Sequence, residues 1–370
     1  MKNGKENYNK MMTLNESTPD VSSEIEFWLE STSFNSFVEE ISKRVIGQEN
    51  LKVFLANIYN YLFNIVNENP INNNTILSAP SGSGKTETFR ALKDYFKERI
   101  PSLMIFIQDM SRITATGYKG MEPSDLLLPF FNSNTSDDIG IVFLDEFDKK
   151  LLPSYNGMGV DTNKEAQNCL LTLVEGGIVQ SKMEQTIDTS RIMFIGLGSF
   201  DEFRNKKETL PNGVGFESKL NNDIHHYDPI TKEDMIEAGG LYELIGRFPI
   251  IINYSELKKK DIIRIIDKTI ENIEATFNCS INISDKMMNY LISEANGKFG
   301  CRLLDSIIRQ PVLMEYTKAL ANYKSDKKLS ITIYDKENST YRWKNLSEKE
   351  QNNKALLEAF NSLYSTELFR

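Results

Sequence analysis

Cysteine, histidine and long hydrophobic runs are all scarce in this chain of 370 residues. The three cysteines, Cys169, Cys279 and Cys301, are scattered and form no Cys-x-x-Cys pair, so a zinc module and a disulfide framework are both disfavoured. The two histidines, His225 and His226, are adjacent in a polar stretch and are expected at the surface. No apolar run approaches the roughly 20 residues of a membrane span, so no membrane partner is expected.

The chain also lacks an excess of positive charge, because 43 Lys and Arg residues stand against 52 Asp and Glu, a net charge of −9. This balance disfavours a broad nucleic-acid surface, although it leaves room for a local basic channel, and no nucleic-acid partner is expected. Residues 1–7 are polar and have no apolar core of a signal peptide. Together with the few cysteines, this start predicts a cytoplasmic location.

A glycine-rich loop at residues 79–86, Ala-Pro-Ser-Gly-Ser-Gly-Lys-Thr, follows a short apolar run and precedes a helical pattern. A strand, a loop and a helix in this order are the setting of a phosphate-binding loop, although Ala79 stands where a first glycine is usual. Small residues let backbone N–H groups close around phosphate oxygens, and the following helix directs its positive end at the same anion. Lys85 can reach the outer phosphates, and the hydroxyl of Thr86 can ligate Mg²⁺. We therefore predict ATP and Mg²⁺ as cofactors, held by Pro80, Ser81, Gly82, Ser83, Gly84, Lys85, Thr86 and Glu87.

An acidic pair, Asp145 and Glu146, ends the continuous apolar run at residues 139–144. Such a run is typical of a buried parallel strand, and the carboxyl ends of such strands are where open α/β sheets bind ligands. Asp145 is expected to hold Mg²⁺, and Glu146 is expected to orient and deprotonate the attacking water. The two motifs together predict an ATPase.

The order of the elements predicts an α/β fold. Strand patterns at 75–78, 103–108, 139–144, 191–196 and 249–253 alternate with helical patterns, which implies a parallel sheet covered on both faces. After residue 254 helical patterns dominate. The domains predicted are a flexible amino-terminal lead at 1–38, a large ATPase domain at 39–254, a small, mostly helical domain at 255–335, and a helical tail at 336–370.

Five further motifs point to one family. They are Arg-Val-Ile-Gly-Gln at 44–48, Gly-Tyr-Lys-Gly at 117–120, Gly-Val-Gly-Phe at 213–216, Ile-Gly-Arg-Phe-Pro at 245–249 and Gly-Cys-Arg at 300–302. Together with the nucleotide motifs, and in this order, they make the chain resemble the AAA+ unfoldases of the Clp type, most closely the ClpX branch. The resemblance runs from about residue 45 to about residue 334 and implies an AAA+ P-loop NTPase domain followed by a small helical lid domain.

The resemblance implies roles for these motifs. Val45 and Ile46 would pack on the adenine, Arg247 would act as an arginine finger in a neighbouring subunit, and Arg302 would act as the second sensor. Gly117, Tyr118, Lys119 and Gly120 would form a pore loop that grips substrate, and Val214, Gly215 and Phe216 would dock on a ClpP-type peptidase. The implied assembly is a homo-oligomeric ring, expected to be a hexamer, that unfolds protein substrates with energy from ATP and threads them into the peptidase.

The chain also departs from the family pattern. It lacks the zinc-binding amino-terminal domain of typical ClpX, and a short turn at 180–185 stands where ClpX carries a longer basic loop. The short, Gly-rich region at 151–164 argues against HslU and is interpreted as a second pore loop. Ser199 is the polar side chain available as first sensor at the end of the 191–196 strand.

Three alternatives stay open at this point. A stand-alone remodelling chaperone would hydrolyse ATP without meeting a peptidase. A DNA-acting AAA+ motor is disfavoured by the acidic charge and by the lack of a helix-turn-helix or basic-aromatic module. An idle, partner-binding relative is disfavoured because Lys85, Asp145, Glu146 and Arg247 are all present.

Overall fold

The computed structural model describes residues 20–69, 72–113, 123–132, 138–181, 185–204, 228–297, 299–322 and 327–345. The chain divides into two compact units, Met1–Leu257 and Lys258–Arg370. Each is described by itself below.

The first unit is organised by a five-stranded parallel sheet. The strands of this unit are β1 (Thr75–Ser78), β2 (Met104–Asp109), β3 (Gly140–Asp145), β4 (Ile178–Gln180), β5 (Thr186–Asp188), β6 (Ile192–Gly198) and β7 (Ile250–Asn253). The sheet has the order β2-β3-β6-β1-β7, and each neighbouring pair is parallel. The predicted α/β fold and its five strands are therefore confirmed, with ends that shift by one or two residues. β4 and β5 form a separate antiparallel hairpin on either side of the turn expected at 180–185.

Helices cover both faces of this sheet. They are α1 (Val21–Ser31), α2 (Phe34–Ser42), α3 (Leu51–Val66), α4 (Lys85–Lys97), α5 (Leu128–Phe131), α6 (Phe147–Leu151), α7 (Thr162–Val174), α8 (Lys232–Ala238) and α9 (Tyr242–Gly246). Alternate residues of β3 enter different cores: Ile141 and Phe143 pack with α1–α4, while Val142 and Leu144 pack with α6–α9. This alternation explains the uninterrupted apolar run, since both faces of the strand are buried.

The amino-terminal segment differs from the expected flexible lead. Residues 20–42 form two capped helices, α1 after Asp20 and α2 after Ser33. Trp28 is 2% exposed, and its ring packs edge-on against Phe37 and Phe96 at centroid distances of 5.4 and 5.3 Å. The segment is therefore part of the core of the first unit, because the apolar side chains of α1 and α2 pack with those of α3 and α4.

The second unit combines helices with a small sheet. Its elements are α10 (Lys259–Phe277), β8 (Cys279–Ile283), α11 (Asp285–Ala295), α12 (Leu304–Leu320), β9 (Lys327–Ile333) and β10 (Ser339–Asn345). The unit is mostly helical, as expected, and α12 continues through Pro311. β9 pairs with β8 in parallel and with β10 in antiparallel orientation. The expectation of a helical tail is wrong at 339–345, because these residues complete the small sheet; residues 346–370 lie outside the described residues. Within the ranges described, no helix is both long and apolar enough to cross a membrane.

Candidate nucleotide-binding site

The phosphate loop connects the end of β1 to the start of α4. Gly82 and Gly84 have φ angles of 77° and 109°, in the left-handed region that residues with a Cβ rarely adopt. Ala79, in place of the usual first glycine, is fully buried, and its N–H donates to the Gly198 carbonyl at 3.1 Å. The loop therefore keeps its tight turn without the first glycine, and it leads directly into the amino end of a 13-residue helix, whose N-cap Gly84 makes no side-chain cap hydrogen bond.

Lys85 places its charge at this loop. Its side chain is 8% exposed, and its ammonium donates to the carbonyl oxygens of Ala79 and Pro80, the latter at 3.2 Å. A buried ammonium beside a row of backbone N–H groups at a helix amino end forms a cradle for an anion. The residues present thus fit a nucleoside triphosphate. Thr86, the expected Mg²⁺ ligand, lies in the first turn of α4.

The acidic pair lies at the same edge of the sheet as the phosphate loop, because β1 and β3 run parallel and both motifs stand at the carboxyl ends of their strands. Asp145 accepts the backbone N–H of Glu146 at 3.0 Å. Glu146 has a φ of 58°, a strained value for a non-glycine residue. Its carboxylate lies 2.8 Å from the Lys149 ammonium, and this hydrogen bond raises the pKa of Lys149.

A buried carboxylate, Asp148, organises the end of β6. It accepts the backbone N–H groups of Ser199 and Phe200 at 3.0 and 2.8 Å and the Ser199 hydroxyl at 3.4 Å. Phe200 has a φ of 56°. A Cβ on Gly198 would lie 2.7 Å from the Asp148 carboxyl carbon, so only glycine fits there. The hydroxyl of Ser199, the candidate first sensor, is therefore held by Asp148.

Arg204 joins the ends of β1 and β6. Its guanidinium donates to the Ser78 hydroxyl at 2.8 Å, to the Asp228 carbonyl at 2.8 Å, and to the Ser199 carbonyl. Sequence reasoning missed both Arg204 and Asp148. The position of Asp148, three residues after Asp145, was a usable signal, whereas the partners of Arg204 are distant in sequence and carried none.

The segment expected at the adenine lies against the phosphate loop. Val45 is 3% exposed, and its Cγ1 would lie 3.8 Å from a Cβ placed on Gly84. Gln48 donates from its amide to the carbonyls of Ser83 and Ser255 at 2.9 and 3.0 Å, and it accepts the Ser255 N–H at 3.0 Å. The Gln48 side chain therefore joins the phosphate loop to the segment that follows β7.

Arg44 binds two carboxylates of α4. Its guanidinium is 2.9 Å from Glu87 and 2.6 Å from Asp94. Glu87 was predicted to contact the nucleotide, and the structure places its carboxylate on Arg44, at the first turn of the phosphate-loop helix. This contact joins the amino-terminal helices to that helix.

Arg247 lies at the opposite edge of the sheet from the phosphate loop. It lies three residues before Ile250, the first residue of β7, and Ile250 is opposite Thr75 at the start of β1. Its guanidinium forms an ion pair with Glu175, and its carbonyl accepts the amide of Asn72 at 2.9 Å. Arg247 is therefore separated by the full length of the strands from the nucleotide motifs of its own chain.

The remaining candidate residues are distributed elsewhere. Arg302 is exposed, in a 3-10 helix at Gly300–Leu303 of the second unit. The predicted first pore loop at 117–120 and the docking residues Val214, Gly215 and Phe216 lie outside the described residues.

The segment interpreted as the second pore loop forms a small hairpin closed by a bridge between Tyr155 and Asp161. The Asn156 side chain accepts the N–H groups of Met158 and Val160 at 2.9 and 3.0 Å. At its tip Met158 is 89% exposed, and at its base Tyr155 is 70% exposed. An ordered loop thus carries apolar side chains into solvent.

Comparison with known proteins identifies relatives of this chain that share its nucleotide-binding domain. Residues 71–251, from four residues before β1 into β7, match the AAA domain (Cdc48 subfamily). A protein of Treponema denticola named ATP-dependent Clp protease ATP-binding subunit ClpX is 31% identical over 313 residues, covering 74% of this chain and 74% of that protein. Proteins of the same name from Azotobacter vinelandii and Porphyromonas gingivalis are each 27% identical, covering 74% and 80% of this chain and 71% and 79% of their own lengths.

Proposed function

This chain belongs to the ClpX family of AAA+ ATPases, and we propose that it uses ATP hydrolysis to unfold other proteins and to thread them through the pore of a ring. The observation that carries the proposal is the division of the site between two edges of one sheet. The phosphate loop and Asp145–Glu146 stand at the carboxyl ends of their strands, whereas Arg247 precedes the amino end of β7. An arginine in that position can complete the site of a neighbouring subunit, which requires a ring of copies; we propose six.

In this proposal the phosphate loop holds the nucleotide. Backbone N–H groups of Gly82 and Gly84 and the Lys85 ammonium bind phosphate oxygens, while Val45 and Ile46 pack on the adenine. The Thr86 hydroxyl and the Asp145 carboxylate would ligate Mg²⁺. Bound Mg²⁺ would offset the negative charge of the phosphates. Glu87 would act indirectly, since it holds Arg44 and with it the segment that carries Val45.

Glu146 is the proposed general base. To accept a proton from water its carboxylate must exchange Lys149 for that water, and the exposure of both side chains (39% and 58%) makes the exchange inexpensive. A Glu146→Gln variant is expected to bind ATP and to hydrolyse it about a hundredfold or more slowly. Equal ATP affinity of variant and parent, measured with a fluorescent nucleotide, serves as the control. A variant that hydrolyses ATP at the parent rate would show that the base is another group.

Two arginines would complete the cycle. Arg247 would leave Glu175 of its own chain and stabilise negative charge on the neighbour's phosphates, a contact worth about a thousandfold in rate. Arg302, in the second unit, would report the nucleotide state to that unit.

The work on substrate is assigned to the loops. Tyr118 between Gly117 and Gly120 would grip the polypeptide without sequence preference. The exposed side chains of Met158 and Tyr155 support a second contact of the same kind. Val214, Gly215 and Phe216 would dock the ring on a ClpP-type peptidase, and the proposed location is the cytoplasm.

The experiment that tests the function is ATP-dependent loss of a fluorescent, tagged substrate, with and without a ClpP-type peptidase. Loss that needs ATP and the peptidase is expected. A Phe216→Ala variant is then expected to lose degradation while it keeps ATP hydrolysis. If ATP is hydrolysed but the peptidase changes nothing, the chain would be a stand-alone remodelling chaperone, and the docking assignment would be wrong.

A further inference from the structure

A buried lysine, Lys150, lies four residues after Glu146 and bonds oxygen atoms of the segments beside α6. Lys150 is 8% exposed, and its ammonium donates to the Ile113 carbonyl at 2.8 Å. It is also 3.4 Å from the Ser111 carbonyl and 3.4 Å from the Asn163 side-chain oxygen. Lysine normally extends its charged end into water, and burial lowers the pKa of this ammonium. Burying it costs free energy, which the three oxygen partners offset.

The helix that carries Lys150 is short and rigidly held. α6 begins directly after Glu146, the proposed base, and has only five residues. Phe147 and Leu151 are fully buried, and the Lys150 carbonyl accepts the buried amide of Gln167 at 2.9 Å. A displacement of Glu146 therefore moves Lys150 as well, since one turn of packed helix has no room to absorb it.

The three partners of Lys150 belong to two different segments. Ser111 and Ile113 follow β2, and Ile113 is four residues before Gly117, where the predicted first pore loop begins. Asn163 lies in the first turn of α7, directly after the hairpin of Tyr155 and Asp161. One ammonium thus bonds the chain segments that lead into one proposed pore loop and out of the other.

We propose that Lys150 is a positioning residue that couples the hydrolysis site to both pore loops. Through it, a shift of α6 at Glu146 is passed to the backbone of Ser111 and Ile113 and to Asn163. This inference rests on the proposed function and adds to it the side chain that joins ATP turnover to movement of the substrate. Coupling of this kind is reciprocal, so substrate in the pore would also change the behaviour of the nucleotide site.

The test uses the full chain as purified protein in four forms: the parent, Lys150→Met, Lys150→Gln and a matched charge-loss control. The control is Lys97→Met, which removes an exposed lysine at the end of α4. Two quantities are measured. One is hydrogen exchange of peptides covering 104–113, with and without a non-hydrolysable ATP analogue. The other is the number of ATP molecules hydrolysed for each fluorescent, tagged substrate molecule unfolded.

In the parent and in Lys97→Met, the ATP analogue is expected to change exchange at Ser111 and Ile113 by about fivefold or more. In Lys150→Met this effect should shrink to less than about twofold, and the ATP used for each unfolded molecule should rise about tenfold. Lys150→Gln keeps an amide donor, so both measured quantities should lie between those of the parent and those of Lys150→Met. If Lys150→Met does not fold, the comparison of Lys150→Gln with the parent tests the proposal.

The proposal would be overturned if the ATP analogue does not change hydrogen exchange at 104–113 in the parent. It would also be overturned if the analogue changes exchange equally in the parent and in the Lys150 variants. A proportional loss of ATP hydrolysis and unfolding would overturn it as well, because an unchanged ratio is what a purely structural lysine produces. If the parent itself does not unfold the substrate, the proposed function fails, and the exchange measurement still decides the role of Lys150.

Discussion

Replacing Trp28 by alanine tests whether the amino-terminal helices belong to the cooperative core of the ATPase unit. The indole is 2% exposed, and its N–H donates a hydrogen bond to the Tyr95 hydroxyl with an N···O distance of 3.2 Å. It also packs against the rings of Phe37, Tyr59 and Phe96 at 5.3 to 5.4 Å. Loss of a buried tryptophan side chain costs about 3–5 kcal/mol, and the ring pairs favour the upper part of that range.

We therefore expect Trp28→Ala to lower the free energy of unfolding by about 4–5 kcal/mol, a large share of the roughly 5–15 kcal/mol typical of a folded domain. Trp28→Phe keeps most of the ring contacts but loses the hydrogen bond, and should cost about 1–2 kcal/mol. The measurement is urea unfolding of the full chain followed by circular dichroism.

The matched control is Phe63→Ala on α3, a ring that is 49% exposed and should cost less than about 1 kcal/mol. If Trp28→Ala falls in the same range as this control, α1 and α2 are dispensable for the core. The segment would then behave as the loosely docked lead that composition suggested.

Two further predictions concern Asp148 and two of the cysteines. The Asp148→Asn variant should lower the maximal rate of ATP turnover about tenfold or more, with little change in ATP affinity. The reason is that the charged acceptor of the Ser199 and Phe200 N–H groups at the end of β6 is lost. Steady-state kinetics measure this, and an unchanged turnover would show that the turn at Ser199 and Phe200 plays no part in hydrolysis. Burial raises the pKa of Cys279 and of Cys301 to about 11, so few of these thiols are ionised at pH 8. Their alkylation in the folded protein should be about a hundredfold slower than in urea and should rise with pH, which mass spectrometry can follow; equal rates in both states would contradict the burial.

The features that sequence predicted well are those encoded by neighbouring residues. The strands β1, β3 and β6 were visible as apolar runs because both faces of each are buried. The phosphate loop was visible because Gly82 and Gly84 must adopt positive φ. These patterns need no knowledge of distant parts of the chain.

The features that sequence missed depend on contacts between distant residues. Trp28 meets Tyr95 across 67 positions, and Arg204 meets Ser78 across 126, so neither contact leaves a local pattern. β10 falls in the predicted helical tail, although Tyr341 and Trp343 alternate with exposed residues as in an edge strand. In the sequence Asp148 and Lys150 are simply two charged residues that follow the acidic pair. Only the fold shows that the Asp148 carboxylate binds the backbone at the end of β6 and that the Lys150 ammonium binds the Ile113 carbonyl.

The strand order of the large sheet has a consequence for the synthesis of the chain. Thr75 of β1 pairs with Ile195 of β6 on one side and with Ile250 of β7 on the other. When β1 leaves the ribosome, neither of its neighbours has been made. At about 5–20 residues per second, the more than one hundred residues between them take roughly ten seconds to translate. During that time the apolar faces of β1 and of the helices beside it have no sheet to cover them, so this is the stage of synthesis at which the newborn ATPase is most exposed to aggregation.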